Sequence, residues 1–356
     1  MKKFLIVLMV VCMVSAGFAG CGGSVTSDED ASGEDTLRVV LIGNQKFGDN
    51  GPMDDMAAGG ERAAQEFGIE FKKMESEPVS FEEDIRNMVQ EGYDLIITTF
   101  PYMSEATKNI AKESPDTKFA AIFQSINTDG ETVANLWDAK FVGQTTLYVD
   151  GYMAGMTTKT NKIGLIIGGE EPSPNAEGNG FMMGVRDANP DATVEFAYAS
   201  YEDTAKVKEV ALAMIEKGVD FIQGDCGSAD SGIVEAINET KKDVMVFSVI
   251  CDFTDSCDNF AGSIGMSYAS AVYDAIKYLV DDNFPGGTQG IRDIMNDGYF
   301  LDWPTYEAFA KRSETYGADY AKAIEEGKAI EAKIKSGELE IPFDPEVPNW
   351  KRISAL

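Results

Sequence analysis

The chain has 356 residues, with 60 acidic against 30 basic side chains, a formal charge of −30 and no histidine. Such an acid surplus argues against nucleic-acid partners and against docking on anionic lipid headgroups, since both draw on Lys and Arg. Without imidazole there is no Ser-His-Asp or Cys-His catalysis and no histidine pH switch; carboxylate, lysine or magnesium chemistry stays open, so an enzyme is disfavoured. Apolar residues at 44% and aromatics at 10% suffice for one large domain or two of ordinary size.

Lys2 and Lys3 precede an apolar run, Phe4–Val14. It is shorter than the roughly 20 residues a membrane span needs but suits a secretory signal. Ser15-Ala16-Gly17-Phe18-Ala19-Gly20-Cys21 then resembles a bacterial lipobox, with Phe18 where an aliphatic residue is usual. The resemblance implies loss of residues 1–20, lipidation of Cys21 and an extracytoplasmic body held at the membrane; a plain secretory peptide with an incidental Cys21 is the alternative. Losing Lys2 and Lys3 takes the charge to −32. Residues 21–36 carry five acids, no base and little to bury, which predicts a disordered tether. Fully extended it reaches about 50 Å. Three further cysteines, Cys226, Cys251 and Cys257, leave an odd count, and the sequence does not say whether any pair is bonded.

From Leu37 the chain alternates strand and helix patterns, then repeats them about 125 residues later. Leu37–Gly43 answers to Lys162–Gly168, Gly60–Ala64 to Gly184–Ala188, and Ile69–Phe71 to Val194–Phe196. Gly92–Ile96 answers to Gly218–Ile222, and Lys118–Gln124 to Val244–Ile250. Five pairings in order predict two similar lobes. The strands are continuous apolar runs, so each lobe reads as a doubly wound α/β fold on a parallel sheet. Ser80 with Glu83 predicts a capping box before a helix stopped by Gly92, and Thr204 is a plausible N-cap for one stopped by Gly218. Gly178-Asn179-Gly180 reads as a flexible turn into a helix at Phe181. Asp54 and Asp55 read as acids favoured by a helix dipole.

The expected organisation is residues 37–139 with about 264–310 as the N-terminal lobe and 140–263 as the C-terminal lobe. Residues 311–356 form a C-terminal helix and strap. The helical stretch of the tail runs roughly from Thr305 to Ser336. Hinges are expected near Trp137–Phe141, near Gly262–Met266 and near the tail. Ligands of such sheets bind beyond the carboxyl ends of the strands, here in a cleft between the lobes.

This layout resembles the substrate-binding lipoproteins of ABC importers, within them the basic membrane protein family, which binds purine nucleosides or nucleobases on a type I periplasmic-binding-protein fold. The matching motifs are Gly92–Ile97, Ser114–Ala120, Phe141 with Gln144, Tyr148 and Gly151, Lys162-Ile163-Gly164, Asn189-Pro190, Tyr273–Ile276 and Ile334–Gly337 with Ile341-Pro342. The resemblance implies a base held between two aromatic planes, with carboxylates on the sugar. The acid of the first loop is Asp49; the first aromatic falls on Met53, with Phe47 nearby; the second is Tyr201. The first sugar-facing acid falls at Phe123 or Gln124. The second falls at Ile250, two residues before Asp252. The family lysine falls at Met266. Losing those charges favours a flat, mostly uncharged ligand such as a free purine base. Thr98–Met103 resembles the loop of nucleobase-binding members.

Independently of the resemblance, Phe47, Phe100, Tyr102, Phe123 and Tyr201 cluster at predicted strand ends, where a ring contributes about 1–3 kcal/mol by stacking on a base. Asp49, Asn50, Gln124, Asp225 and Asp252 are candidate hydrogen-bonding partners. The plainer reading of such aromatics is that they cap the core. The expectation is thus a monomeric solute receptor, not an enzyme, with no cofactor, metal or nucleic acid. Its partners are a purine base or nucleoside, an ABC permease and, through lipid, the membrane. A nucleoside hydrolase-like enzyme and a surface adhesin or sensor are the rival readings.

Overall fold

The computed structural model describes residues 36–48, 51–128 and 130–356. The expected signal, Cys21 and the tether up to Asp35 lie outside the described residues, as do Asp49 and Asn50. In chain order the first half runs β1 (Arg38–Gly43), α1 (Pro52–Phe67), β2 (Glu70–Glu75), α2 (Phe81–Gln90), β3 (Leu95–Thr99), α3 (Ser104–Glu113), β4 (Lys118–Ile122) and β5 (Leu136–Phe141). The second half repeats the order with α4 (Gln144–Thr157), β6 (Lys162–Ile167), α5 (Pro172–Ala188), β7 (Thr193–Tyr198), α6 (Thr204–Glu216), β8 (Phe221–Asp225), α7 (Ser231–Thr240), β9 (Met245–Val249) and β10 (Phe260–Met266). The chain then returns through α8 (Tyr268–Val280) and β11 (Thr288–Arg292) to β12 (Tyr299–Leu301), α9 (Trp303–Arg312), α10 (Gly317–Lys335) and α11 (Trp350–Ile353).

The strands form two six-stranded sheets with orders β11-β5-β4-β3-β1-β2 and β12-β10-β9-β8-β6-β7. The same order twice is what the internal repeat predicted. All pairings are parallel except β10 with β12, which is antiparallel. Burial on both faces explains the apolar runs: along β1, Val39 and Leu41 face α1 and α8, while Val40 and Ile42 face α2 and α3.

The sheets divide the chain differently from the sequence expectation. Residues 37–141 and 268–292 build the first lobe; β12 hydrogen-bonds into the second sheet and α9 packs on β10. Residues 299–310, expected in the first lobe, therefore belong to the second. The predicted tail helix is two helices, broken between Arg312 and Gly317. The Pro-rich strap that follows is tied to α5: Asn175 donates to the Pro345 carbonyl, and Asn179 to those of Asp344 and Glu346.

Local chemistry corrects three further expectations. Ser80 stands at the start of α2 but its side chain makes no cap bond, and its amide donates to Glu77 O and not to Glu83. Asp203, not Thr204, caps α6, accepting from Lys206 N at 3.0 Å. Gly178–Gly180 is no turn: it lies inside α5, where glycine lets α4 approach. A methyl group on Gly180 would sit 2.3 Å from the Gln144 carbonyl oxygen, and one on Gly184 2.0 Å from that of Tyr148. Asp54 and Asp55 do open α1, and Asp55 also accepts from Ala269 N, joining α1 to the start of α8.

Candidate functional site

Three crossovers join the lobes: β5 to α4 through Val142-Gly143, β10 to α8 through Ser267, and β11 to β12 through residues 293–298. The first two lie within a few residues of the segments expected to hinge, the first beyond the end of β5, and the third precedes the tail. The carboxyl ends of both sheets face the region that these crossovers bracket.

Three strand ends there carry unusual backbone. Phe100 after β3, Phe123 after β4 and Ile250 after β9 adopt φ of 60°, 57° and 64°. Left-handed backbone is costly for residues with a bulky or branched side chain and concentrates at functional sites. Two are locked by their amides: Phe100 N donates to Ile122 O and Ile250 N to Ile264 O, extending the ladder past the strand. The conformation turns Phe100 and Phe123 into an aromatic group with Phe141, Tyr268 and Tyr299. Ring centroids lie 5.9 Å apart for Phe100–Phe123, 5.7 Å for Phe123–Tyr268, 5.1 Å for Phe141–Tyr268 and 6.3 Å for Phe141–Tyr299. Edge-on and tilted geometries dominate, as the ring quadrupoles favour.

The second lobe answers with Tyr201, whose ring lies across the backbone of Gly168 at the end of β6. Two carboxyl groups lie within electrostatic reach of it. Asp225 ends β8, and Glu177 projects from α5, where Glu177 Oε1 accepts from Gly143 N at 3.1 Å and from the Tyr299 hydroxyl at 2.8 Å. Burial pushes both acids above the ordinary carboxylate range, and for Glu177 the charge of Asp225 adds to the shift. Tyr268 is also raised by burial, with Asp55 and Glu177 contributing. Glu177 thus lies within electrostatic reach of both Tyr268 and Tyr201.

Other expected site residues fall elsewhere. Phe47 leans on β2, its amide donating to Glu75 and its ring receiving Lys73. Met53 is fully buried under Gly43, supporting the loop from below. Tyr102 is 77% exposed on the short turn before α3. Gln124 is used inside the first lobe, accepting from Ser104 Oγ and donating to Thr98 Oγ1. Asp252 is exposed and turns its own loop by accepting from Thr254 N. Met266, half-buried, touches the Tyr268 hydroxyl through sulfur. The three cysteines are free thiols, and burial raises Cys226 and Cys251, the latter to about 11.

A family model described as ABC transporter substrate-binding protein PnrA-like matches residues 36–344. The chain belongs to this family. A CD4+ T-cell-stimulating antigen of Listeria innocua is 27% identical, covering 97% of this chain and all of its own. An ABC transporter nucleoside-binding protein, BmpA, of Lactococcus lactis is 26% identical over 85% of this chain and 92% of its own length. The fold also matches a solved ABC solute-binding protein of Aeropyrum pernix, with a TM-score of 0.67 at 20% identity, over 89% of this chain and 96% of that one. This PnrA-like protein is accordingly a substrate-binding component of an ABC transporter and not an enzyme. It works outside the cytoplasm with a small-molecule ligand and a permease.

Sequence reasoning missed Glu177, Tyr268 and Tyr299. Glu177 sits in a stretch rich in Asn and Gly that read as a turn; the available signal was an acid in a segment with no basic neighbour from Glu170 to Met183. Tyr268 follows Ser267, the N-cap of α8, and Tyr299 lies on a three-residue strand too short to leave a pattern.

Proposed function

We propose that this PnrA-like protein is the lipid-anchored receptor of an ABC importer and binds a purine nucleobase, or the corresponding nucleoside, in the cleft between its lobes. The observation that carries the reading is the presence of aromatic side chains at strand ends of both lobes, with Phe100 and Phe123 beside Tyr268 on one and Tyr201 over Gly168 on the other. Rings of this kind take the faces of a flat heterocycle. The nucleoside named in the description of the Lactococcus lactis relative supports the ligand class. Phe123, Gln124 and Ile250 stand where sugar-facing acids are expected from the resemblance, which favours the free base. Ligand touching both lobes favours the closed arrangement by its differential affinity for it. Asp49 and Asn50, in the loop between β1 and α1, complete the proposed set with Asp225. The Ser15–Cys21 segment supports the anchor.

Isothermal titration of the protein with adenine, guanine, hypoxanthine and their nucleosides tests this. Saturable heat with at least one purine is expected, and none with any of them refutes the assignment.

A further inference from the structure

Glu177 and Asp225 are two buried acids within electrostatic reach of each other, and among the described residues neither has a basic partner acting on it. Glu177 faces Asp225 from β8, Tyr299 from β12, Tyr268 from α8 and Tyr201 from the loop after β7. Asp225 faces Glu177 and, from ahead of α5, Glu171; Asp230 at the start of α7 and the Cys226 thiol lie close by. Asp225 is 7% exposed, and its buried Oδ2 has no hydrogen-bond donor among the described residues. A carboxylate oxygen without a donor in such a place is costly, and two adjacent acids in one dry site do not both ionise. The economical arrangement is one shared proton. The pair then presents a hydroxyl donor beside carboxylate acceptors.

We infer that Glu177 and Asp225 act together as the polar anchor of the cleft and select ligands carrying an amino group next to a ring nitrogen. Such an amidine-type edge donates one N–H to a carboxylate oxygen while its ring nitrogen accepts the shared proton, so donor meets acceptor twice. If the ring nitrogen takes the proton outright, the pair becomes doubly ionised and the ligand cationic, with no proton lost. A lactam edge, such as that of hypoxanthine, also sets an N–H beside an acceptor, but its carbonyl oxygen is too weakly basic to take the proton, so only the amidine-type edge gains the charge-assisted pair, which outweighs a neutral one. Tyr201 and, from the first lobe, Tyr268 both lie within electrostatic reach of Glu177. The inference rests on the reading of the cleft as the ligand site, and it narrows the class from purines at large to amino-substituted heterocycles such as adenine.

The test is calorimetric titration of the protein with two matched pairs of probes: adenine against hypoxanthine, and 2-aminobenzimidazole against benzimidazole. Each is measured on wild type, Glu177→Gln and Asp225→Asn. The amino member of each pair is expected to bind about tenfold tighter or more, and both substitutions should erase that preference. Carbon-13 carboxyl titration of the wild type, which needs no variant, should show two separated steps for these acids, one well above the ordinary carboxylate range. Equal affinities within both pairs, a preference that survives both substitutions, or joint titration in the ordinary range would overturn the inference. Purines bound without preference sink the acid pair alone. A preference seen only between the benzimidazoles, with no purine bound, sinks the purine reading and keeps the pair.

Discussion

Gly168 offers a way to move Tyr201 without touching it. A methyl group there would lie 2.3 Å from Tyr201 Cδ1, 2.4 Å from Cε1 and 2.6 Å from Cγ, so the ring covers the backbone face-on. Carbon atoms prefer about 3.5 Å or more. Gly168→Ala therefore lifts the ring by roughly 1.2 Å or swings it out to solvent. Gly168 is not among the residues with positive φ, so alanine meets no backbone penalty. Tyr201 is 36% exposed and has room to leave, so the fold should tolerate the change. If the ring stacks on the ligand, its displacement forfeits up to the whole stacking contribution, about 1–3 kcal/mol, or about 5- to 150-fold in affinity. The assay is calorimetric titration of the tightest-binding purine with wild type, Gly168→Ala, Tyr201→Ala and the double variant, alongside a thermal melt of each. The single variants should weaken binding alike, and Gly168→Ala should add nothing once Tyr201 is gone. Undiminished affinity in Gly168→Ala, or an equal further loss in the double variant, refutes the role given to the ring.

Two further outcomes follow from buried groups. Asp150 of α4 accepts from the Tyr306 hydroxyl at 2.8 Å, its other oxygen has no donor among the described residues, and burial raises it well above its ordinary value. An acid raised in the folded state favours folding below its unfolded pKa, near 3.9, and that contribution is lost as pH rises through the folded value. Asp150→Asn removes the loss, so its urea midpoint should gain on wild type from pH 5 to 8, by at most about 1.4 kcal/mol per pH unit; a constant difference would mean the carboxyl is not held neutral. Gly184→Ala at a helix interior gains about 1 kcal/mol from propensity alone, but its methyl would sit 2.0 Å from the Tyr148 carbonyl oxygen. A net destabilisation of about 1–3 kcal/mol is expected in denaturant unfolding, and stabilisation would show that α4 and α5 can part freely.

The repeat made both lobes legible because each strand is buried on two faces, which leaves apolar runs such as Val39–Ile42 and Ile163–Ile167 in fixed order. β12 and the crossovers were not legible: three residues carry no period, and antiparallel pairing of Tyr299–Leu301 depends on where β10 ends in space. Among the site residues, Tyr201 and Asp225 could be picked from their position after a strand. Gln124 could be picked too, but not its engagement by Ser104 and Thr98 from α3 and β3. Glu177 escaped because its helix is held by glycine contacts with α4, and helix packing of that kind reads as loop composition.

Those glycine contacts decide where the chain is stiff. α4 begins at Gln144, one residue after Gly143, and the main chains of α4 and α5 touch at Gly151, Gly180 and Gly184 with no side chain between them. Spacing set by backbone has no rotamers to yield. On the other side β5 is stitched between β4 and β11. The first connection is therefore only two residues long, Val142 and Gly143, set between two stiff plates, and even these are held, Val142 N by the Arg292 carbonyl and Gly143 N by Glu177.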